Sequence, residues 1–272
     1  MAQKPDFIHI GPGRTGTTYI FKILGQHPEI ALPRSKEINY FNRNYDKGEK
    51  WYFSYFQTPS GKISGDFSNL YFSNNNALKR IASELPDIKV ICVLRNPYDR
   101  ALSNFFYQQR SGSIAPGLTY TKALEKHPDL TAQDVFSRQL SLCHELFGDR
   151  LFIGFYDDLK QNPESFFASL FEFLGVSPNF KPDNLEEKVN SVVSLKYKKL
   201  SRLFRFSADL LRSLGLTRLL DGLKNSKTLA KLIYIKKEKS EVDFPRSMIR
   251  RMNKDIDQLM KLSQRDLSHW KR

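Results

Sequence analysis

The run of residues 88–94, Ile-Lys-Val-Ile-Cys-Val-Leu, constrains the fold more than any other segment, because only Lys89 interrupts its apolar character. Such a run is typical of a parallel strand that is covered on both faces. Shorter strand signals occur at residues 7–10, 62–66 and 151–155. Because helical segments separate these strands, the pattern predicts an α/β fold with a central parallel sheet flanked by helices.

The helical segments end at clear sequence signals. Pro28 and Pro86 close two of them, and Asn96 followed by Pro97 is a favourable helix start. Helices are predicted over residues 17–26, 75–85, 97–110, 131–147, 165–174 and 245–262. Each strand is therefore followed by a segment that can return the chain to the start of the next parallel strand.

The last third of the chain differs from the rest in charge. Residues 181–240 contain 15 Lys and Arg against 6 Asp and Glu, and so carry +9 of the formal net charge of +14. Helical spacing of leucines predicts that residues 181–245 form basic helices packed on the sheet, within one domain spanning residues 1–272. Solvated helix faces, an acidic membrane surface and an anionic acceptor all fit this charge.

Residues 11–18, Gly-Pro-Gly-Arg-Thr-Gly-Thr-Thr, join the first strand to the first helix. Glycines allow a tight turn in which backbone N–H groups converge on an anion, and a helix N-terminus adds further N–H groups. A Walker loop of a kinase or NTPase needs Lys after its second glycine. Here Thr17 holds that position and the cation is Arg14, so the spacing predicts a phosphate cradle of another kind.

A second anion site is predicted where the central strand ends. Arg95 stands where an ATPase needs an Asp for Mg²⁺, and the carboxyl ends of parallel strands are where α/β folds bind ligands. Arg100 and Ser103 lie on one side of the following helix, where they either join this site or form a solvated face. Two separated anion sites and no metal ion are therefore expected.

Both motifs resemble those of the PAPS-dependent sulfotransferase family. Residues 13–18 resemble the loop that binds the 5′-phosphosulfate of 3′-phosphoadenosine-5′-phosphosulfate (PAPS), and residues 95–103 resemble the element that binds its 3′-phosphate. The resemblance implies a P-loop-like sulfotransferase fold, PAPS as donor, PAP as product and no metal. The nucleotide-binding residues that it implies are Gly13, Arg14, Thr15, Gly16, Thr17, Thr18, Arg95 and Ser103.

Residues 35–41, Ser-Lys-Glu-Ile-Asn-Tyr-Phe, resemble the segment that carries the catalytic Glu of carbohydrate-type sulfotransferases. This resemblance implies that Glu37 is the general base. The resemblance of residues 13–18 implies that Arg14 stabilises charge on the departing PAP. Lys36 and Asn39 are candidate acceptor-binding residues. For Glu37 the alternative is an exposed loop carboxylate beside Lys36. Glycan-modifying relatives carry a Lys within residues 66–68, and its absence here weakens the case for a heparan-like acceptor.

The expected activity is transfer of the sulfo group of PAPS to a hydroxyl or amine of a carbohydrate, lipid or other small molecule. Two rivals stay open: a P-loop kinase or NTPase, and a non-enzymatic basic module that binds acidic membranes or nucleic acid. The enzyme is expected to have no nucleic-acid partner, while peripheral contact with an acidic membrane surface is left open. Since no apolar run reaches 18 residues, the sequence predicts a cytoplasmic protein.

Overall fold

A computed structural model describes residues 3–115, 117–183, 185, 193–195, 234–236 and 242–272. Its centre is a five-stranded sheet in which every pair of neighbouring strands is parallel. The strands are β1 (Phe7–Gly11), β2 (Ile30–Ala31), β3 (Ile63–Phe67), β4 (Lys89–Leu94) and β5 (Leu151–Phe155), in the order β2-β3-β1-β4-β5. The α/β architecture predicted from the sequence is confirmed.

Helices connect the strands along the chain. The α-helices are α1 (Thr17–Leu24), α2 (Tyr40–Arg43), α3 (Gly48–Phe53), α4 (Asn75–Glu84), α5 (Pro97–Ser111), α6 (Tyr120–Lys126), α7 (Ser137–Phe147), α8 (Tyr156–Gln161), α9 (Pro163–Leu174) and α10 (Arg246–Ser263). Short 3₁₀ helices span Tyr45–Lys47, Pro128–Thr131, Gly148–Arg150 and Ser268–Trp270. Ile91 and Val93 of β4 pack with α1 and α9 in one apolar cluster. Because successive strand residues point to opposite faces, Cys92 lies on the other side of the sheet.

One helix boundary differs clearly from the prediction. α7 begins at Ser137 and not at residue 131. A carboxylate remote in sequence explains the difference, because Asp255 of α10 accepts hydrogen bonds from the backbone N–H groups of Phe136, at 2.7 Å, and Ser137, at 3.0 Å. These bonds satisfy N–H groups that a helix start leaves without partners. α6 was not predicted, although Thr119 caps it through a hydrogen bond from the N–H of Lys122.

The chain divides into two compact units. The first comprises Met1–Ala101, Pro128–Val189 and Pro245–Arg272, and the second comprises Leu102–His127 and Asn190–Phe244. In the second unit, β6 (Val193–Leu195) pairs antiparallel with β7 (Tyr234–Lys236). The helical prediction is therefore wrong for these two segments, because pairing across a long sequence separation leaves no local periodicity. Most of the predicted basic helices lie outside the described residues, and the single domain stays a prediction.

Candidate active site

The side chains of interest follow four neighbouring strands of the parallel sheet. Because the strands run in the same direction, the ends of β1, β3, β4 and β5 lie at one edge. The loop of residues 12–16 follows β1, Ser68 and Asn69 follow β3, Arg95 follows β4 and Tyr156 follows β5. This edge, within the first unit, is where α/β folds bind ligands.

The loop after β1 has the backbone conformation that its glycines predict. Gly16 has φ 89°, and a Cβ there would lie 2.8 Å from Cδ2 of Leu159, so both the backbone and the packing require glycine. Arg14 also has a positive φ, of 72°. Thr15 donates a hydrogen bond through Oγ1 to the carbonyl of Pro12 at 2.8 Å. Gly16 is the N-cap of α1 and offers no side-chain acceptor, so the first N–H groups of α1 suit a bound anion.

Two side chains from remote segments hold this loop from behind. Gln133 accepts a hydrogen bond from the N–H of Gly13 at 3.2 Å, and Arg100 donates through Nη1 to the carbonyl of Gly13 at 3.4 Å. Arg100 is only 1% exposed and forms an ion pair with the fully buried Asp134. The alternative of a solvated helix face is therefore wrong for Arg100. Its guanidinium is buried and binds Asp134 and the carbonyl of Gly13.

Arg95 lies directly beside the loop. Its Nη1 donates to the carbonyl of Arg14 at 3.0 Å, and its guanidinium lies 4.4 Å from the ring centroid of Tyr156. The buried Nε of Arg95 has no hydrogen-bond partner in the described part of the chain. Ser103 is buried within α5, the helix that begins at Pro97. The binding of one phosphate by Arg95 and Ser103 together stays a prediction.

Glu37 reaches the same edge from the loop after β2. Its backbone N–H donates to the carbonyl of Phe67 at 2.7 Å. Its carboxylate accepts two hydrogen bonds from Asn69, one from the backbone N–H at 3.1 Å and one from Nδ2. Burial raises the pKa of the Glu37 carboxyl, while the bonds from Asn69 and the charge of Lys36 oppose the rise. A carboxylate with a raised pKa suits a general base near neutral pH.

The two predicted acceptor-binding residues flank Glu37 differently. Lys36 donates through Nζ to Oγ1 of Thr18 at 2.8 Å, which places its ammonium at the start of α1. Burial lowers the pKa of Lys36, and Arg14 adds to this effect. Asn39 is buried and donates through Nδ2 to the carbonyl of Glu37 at 2.8 Å. Contact of either residue with an acceptor stays a prediction.

Sequence reasoning did not identify Asn69 and Gln133. Asn69 Nδ2 lies 3.4 Å from Oγ1 of Thr17, and the carbonyl of Asn69 accepts a hydrogen bond from Gln133 at 3.2 Å. Asn69 therefore links the loop after β1 to Glu37. Its position just beyond the carboxyl end of β3 is a signal that could have identified it, whereas nothing local to Gln133 points to the loop.

A buried polar cluster lies beneath these residues. Asp66 of β3 accepts hydrogen bonds from Ser68 at 2.8 Å and from the hydroxyls of Tyr52 and Tyr71, both at 3.1 Å. Burial raises the pKa of Asp66 to about 6. In β1, burial and the nearby Lys36 lower the pKa of His9 to about 3. Both side chains are therefore uncharged between about pH 3 and pH 6. The net charge of this cluster changes when the pH leaves that range.

Comparison with known proteins decides the family. The sulfotransferase domain family matches residues 4–264. The chain belongs to the sulfotransferase family. Human bifunctional heparan sulfate N-deacetylase/N-sulfotransferase 2 is 32% identical to it over 197 residues, which cover 64% of this chain and 22% of the relative. Mouse bifunctional heparan sulfate N-deacetylase/N-sulfotransferase 4 is 44% identical over 117 residues, which cover 39% of this sulfotransferase and 13% of the relative.

A third relative is the membrane-associated sulfotransferase kil1 of Dictyostelium discoideum, which is 35% identical over 123 residues, covering 43% of this chain and 26% of kil1. The matched segments thus span between 13% and 26% of these relatives. A crystal structure of a sulfotransferase from Alicyclobacillus acidocaldarius superposes with a TM-score of 0.70 at 21% identity, covering 99% of this chain and all of the other. The P-loop-like sulfotransferase fold is therefore confirmed.

The predicted cytoplasmic localisation is wrong. The relatives point away from it, since kil1 is membrane-associated by name and others are heparan sulfate enzymes. The prediction depended on the lack of a long apolar run, which concerns spanning helices and not the cellular compartment. Among the helices that the structure describes, none is long and apolar enough to cross a bilayer. Across the same residues, no group of three or more His, Cys, Asp or Glu side chains could hold a metal ion.

Proposed function

We propose that this sulfotransferase moves the sulfo group of PAPS to a hydroxyl or amine of an acceptor and releases PAP. The observation that carries the proposal is the link between the two halves of the candidate site. Asn69 contacts Thr17 at the start of α1 at 3.4 Å and also donates to the carboxylate of Glu37. The side chain of Asn69 thus connects the predicted nucleotide-binding loop directly to the candidate base.

The donor half of the site suits the 5′ end of PAPS. The N–H groups at the start of α1 and the hydroxyls of Thr17 and Thr18 offer donors to phosphate and sulfo oxygens. Arg14 adds a permanent positive charge that stabilises the negative charge on the leaving phosphate oxygen. Arg95 has a buried Nε without a protein partner among the described residues and can donate it to a phosphate.

The base half of the site suits proton removal from the acceptor. In the proposed reaction Glu37 takes the proton of the acceptor O–H or N–H as that atom bonds to sulfur. The bond between sulfur and the phosphate oxygen of PAP breaks, and its electron pair stays on PAP. Positioning of the reactants and stabilisation of the leaving charge supply most of the rate enhancement.

A glycan is the acceptor class to test first. Its support is the naming of several relatives as heparan sulfate N-sulfotransferases. Phe67 stands in the segment where glycan-modifying relatives have a Lys, so we propose a glycan with fewer anionic groups near the reacting atom than heparan sulfate carries. Lys36 and Asn39 contribute to acceptor binding in this proposal.

The decisive experiment incubates the protein with ³⁵S-labelled PAPS and oligomers of N-unsubstituted glucosamine, a phenol or a hydroxylated lipid, each in a separate reaction. Isothermal titration calorimetry measures PAP binding with and without EDTA. We expect PAP binding that does not need a divalent ion, and transfer of label to the glucosamine oligomers. Transfer to the phenol or lipid alone would keep the activity and replace the acceptor class.

The rival activities have distinct outcomes in the same assays. Magnesium-dependent ATP hydrolysis without PAP binding would establish a kinase or NTPase and overturn the proposal. Binding of anionic vesicles or RNA that weakens steeply with salt, again without PAP binding, would establish a non-enzymatic basic module.

A further inference from the structure

We propose that Asn69 is a positioning residue that aligns the carboxylate of Glu37 with the loop that binds the donor. This inference rests on the proposed function. It depends on three contacts of one residue: its backbone N–H lies 3.1 Å from Oε2 of Glu37, its Nδ2 donates to Oε1, and the same Nδ2 lies 3.4 Å from Oγ1 of Thr17. Both carboxylate oxygens of Glu37 are therefore fixed by one neighbour.

The orientation of the Asn69 amide follows from its neighbours. An ionised carboxylate only accepts hydrogen bonds, so the amide must present its nitrogen to Glu37. Nδ2 carries two hydrogens, and the second points to the hydroxyl of Thr17. Oδ1 of Asn69 is buried without a hydrogen-bond partner in the described chain. The hydrogen bonds of the Asn69 side chain are therefore made through Nδ2 and not through Oδ1.

The contact with Thr17 has a consequence for the donor. A hydroxyl has one hydrogen to donate and can also accept. Because Oγ1 of Thr17 accepts from Asn69, its own hydrogen stays available for an oxygen of the bound nucleotide. Asn69 thus orients the hydroxyl of Thr17 towards the nucleotide and also orients the carboxylate of Glu37.

The backbone of Asn69 is itself held firmly. Its carbonyl accepts from Nε2 of Gln133, whose Oε1 accepts from the N–H of Gly13. A Cβ on Gly11 would lie 2.3 Å from the carbonyl oxygen of Asn69, so this close approach requires glycine at the end of β1. The alignment of Glu37 is therefore built on the same loop that binds the donor.

Besides the amide of Asn69, the amide of Asn39 and several charged groups act on Glu37 or on its neighbour Lys36. Lys36 precedes it in its own loop, Asp66 lies beneath it in β3, and Arg14 and Lys22 act on Lys36 from the loop after β1 and from α1. Hydrogen bonds from Asn69 lower the pKa of Glu37, against the effect of burial. Loss of Nδ2 therefore raises the pKa of Glu37 and moves the acidic limb of the rate profile to higher pH.

The test titrates Glu37 directly by ¹³C NMR in protein labelled at the glutamate carboxyl carbon, with Glu37→Gln to assign the signal. Asn69→Ala removes Nδ2 and keeps the backbone N–H. Asn69→Asp has almost the same shape and places an acceptor where the donor was. We expect the titration midpoint of Glu37 to rise in Asn69→Ala and to rise further in Asn69→Asp, because a second carboxylate disfavours ionisation.

Asn44→Ala is the matched control, since its Nδ2 donates to the carbonyl of Ile38 at 2.8 Å in the same region and does not contact Glu37. The control should leave the Glu37 midpoint unchanged. Turnover of labelled PAPS with glucosamine oligomers should fall about 10- to 100-fold in Asn69→Ala, with KM for the acceptor changing less than kcat.

Two results overturn different claims. An unchanged Glu37 midpoint in both Asn69 variants, with PAP still bound, rejects the positioning role and leaves the proposed function intact. Failure of the wild-type protein to bind PAP rejects the proposed function whatever the titration shows. If Asn69→Ala does not fold, the nearly isosteric Asn69→Asp alone decides the question.

Discussion

Arg100 and Asp134 form a buried ion pair directly behind the loop that follows β1. Nε of Arg100 donates to Oδ1 of Asp134, while its Nη1 lies 3.4 Å from the carbonyl of Gly13. Both side chains are excluded from solvent. Their charges therefore serve to fix the shape of the loop from inside the protein.

Removal of one partner of this pair should destabilise the protein strongly. Asp134→Ala leaves the Arg100 guanidinium buried and uncompensated, so the free energy of unfolding should fall by about 3–5 kcal/mol. Urea denaturation followed by circular dichroism measures this change. Asp129→Ala, an exposed carboxylate nearby, is the control and should change stability by less than about 0.5 kcal/mol. Equal changes in the free energy of unfolding for the two substitutions would show that the ion pair does not stabilise the fold.

Substitution of Gly16 should impair nucleotide binding beyond its effect on the backbone. Gly16→Ala combines the strain of φ 89° with a Cβ only 2.8 Å from Leu159, which displaces the start of α1. We expect at least about a tenfold loss of PAP affinity by calorimetry, equivalent to the loss of one good hydrogen bond. Gly48→Ala is the matched control, because Gly48 also has a positive φ of 78° but a Cβ there meets nothing within 4 Å. Similar PAP affinities of the two variants would contradict this prediction.

Substitution of Glu37 should separate chemistry from binding. Glu37→Gln keeps the shape of the side chain and removes its basicity, so turnover should fall about 100- to 10,000-fold while PAP affinity stays unchanged. Because burial raises the pKa of Glu37, wild-type kcat/KM should decline with acidification at a pH above that of an ordinary glutamate. Initial rates from pH 5 to 8 with labelled PAPS measure both effects. Glu49→Gln, in α3, is the exposed control; undiminished turnover in Glu37→Gln would exclude Glu37 as the base.

His9 and Asp66 should have opposite effects on acid stability. The folded protein has a His9 pKa near 3 against 6.5 for a free histidine, so the unfolded chain binds more protons below pH 6.5 and acid destabilises the fold. Asp66, with a pKa of about 6 against 3.8, binds a proton first in the folded state, and acid stabilises the fold through it. Between pH 6 and pH 4 the two effects partly cancel.

Asp66→Asn removes only one of these effects. Its free energy of unfolding should therefore fall more steeply than that of the wild type between pH 6 and pH 4, by up to about 1.4 kcal/mol per pH unit. Urea titrations at several pH values measure the slopes. His9→Gln should have the opposite effect, because Asp66 alone then contributes and acidification from pH 6 to pH 4 makes the fold more stable. Parallel curves for Asp66→Asn and the wild type would show that Asp66 does not titrate in this range.

Local patterns in the sequence were sufficient for the framework of the sheet and for the loop. The apolar run at residues 88–94 identifies β4, and the glycines of residues 11–18 predict the turn that Gly16 makes with its positive φ. In these cases the residues that determine the structure are the residues that adopt it. Periodicity and capping rules read such information directly.

The remaining features depend on contacts between segments far apart in sequence. The start of α7 is set by Asp255, and the orientation of Glu37 is set by Asn69 from another strand end. Burial of Arg100 depends on Asp134, so a position that helical spacing assigns to the polar face becomes internal. Periodicity and capping rules apply to one segment at a time, so they cannot predict contacts between residues that are far apart in sequence.

The loop that follows β1 leaves the sheet at its central strand, because β1 is third in an order that places β3 on one side and β4 on the other. Both neighbours hydrogen-bond β1 directly, so separation of either strand would free one side of the strand that carries the loop. A ligand that binds the loop should therefore oppose the separation of either pair of strands. Protection from proteolysis by PAP should accordingly extend to the sheet as a whole and not to the loop alone.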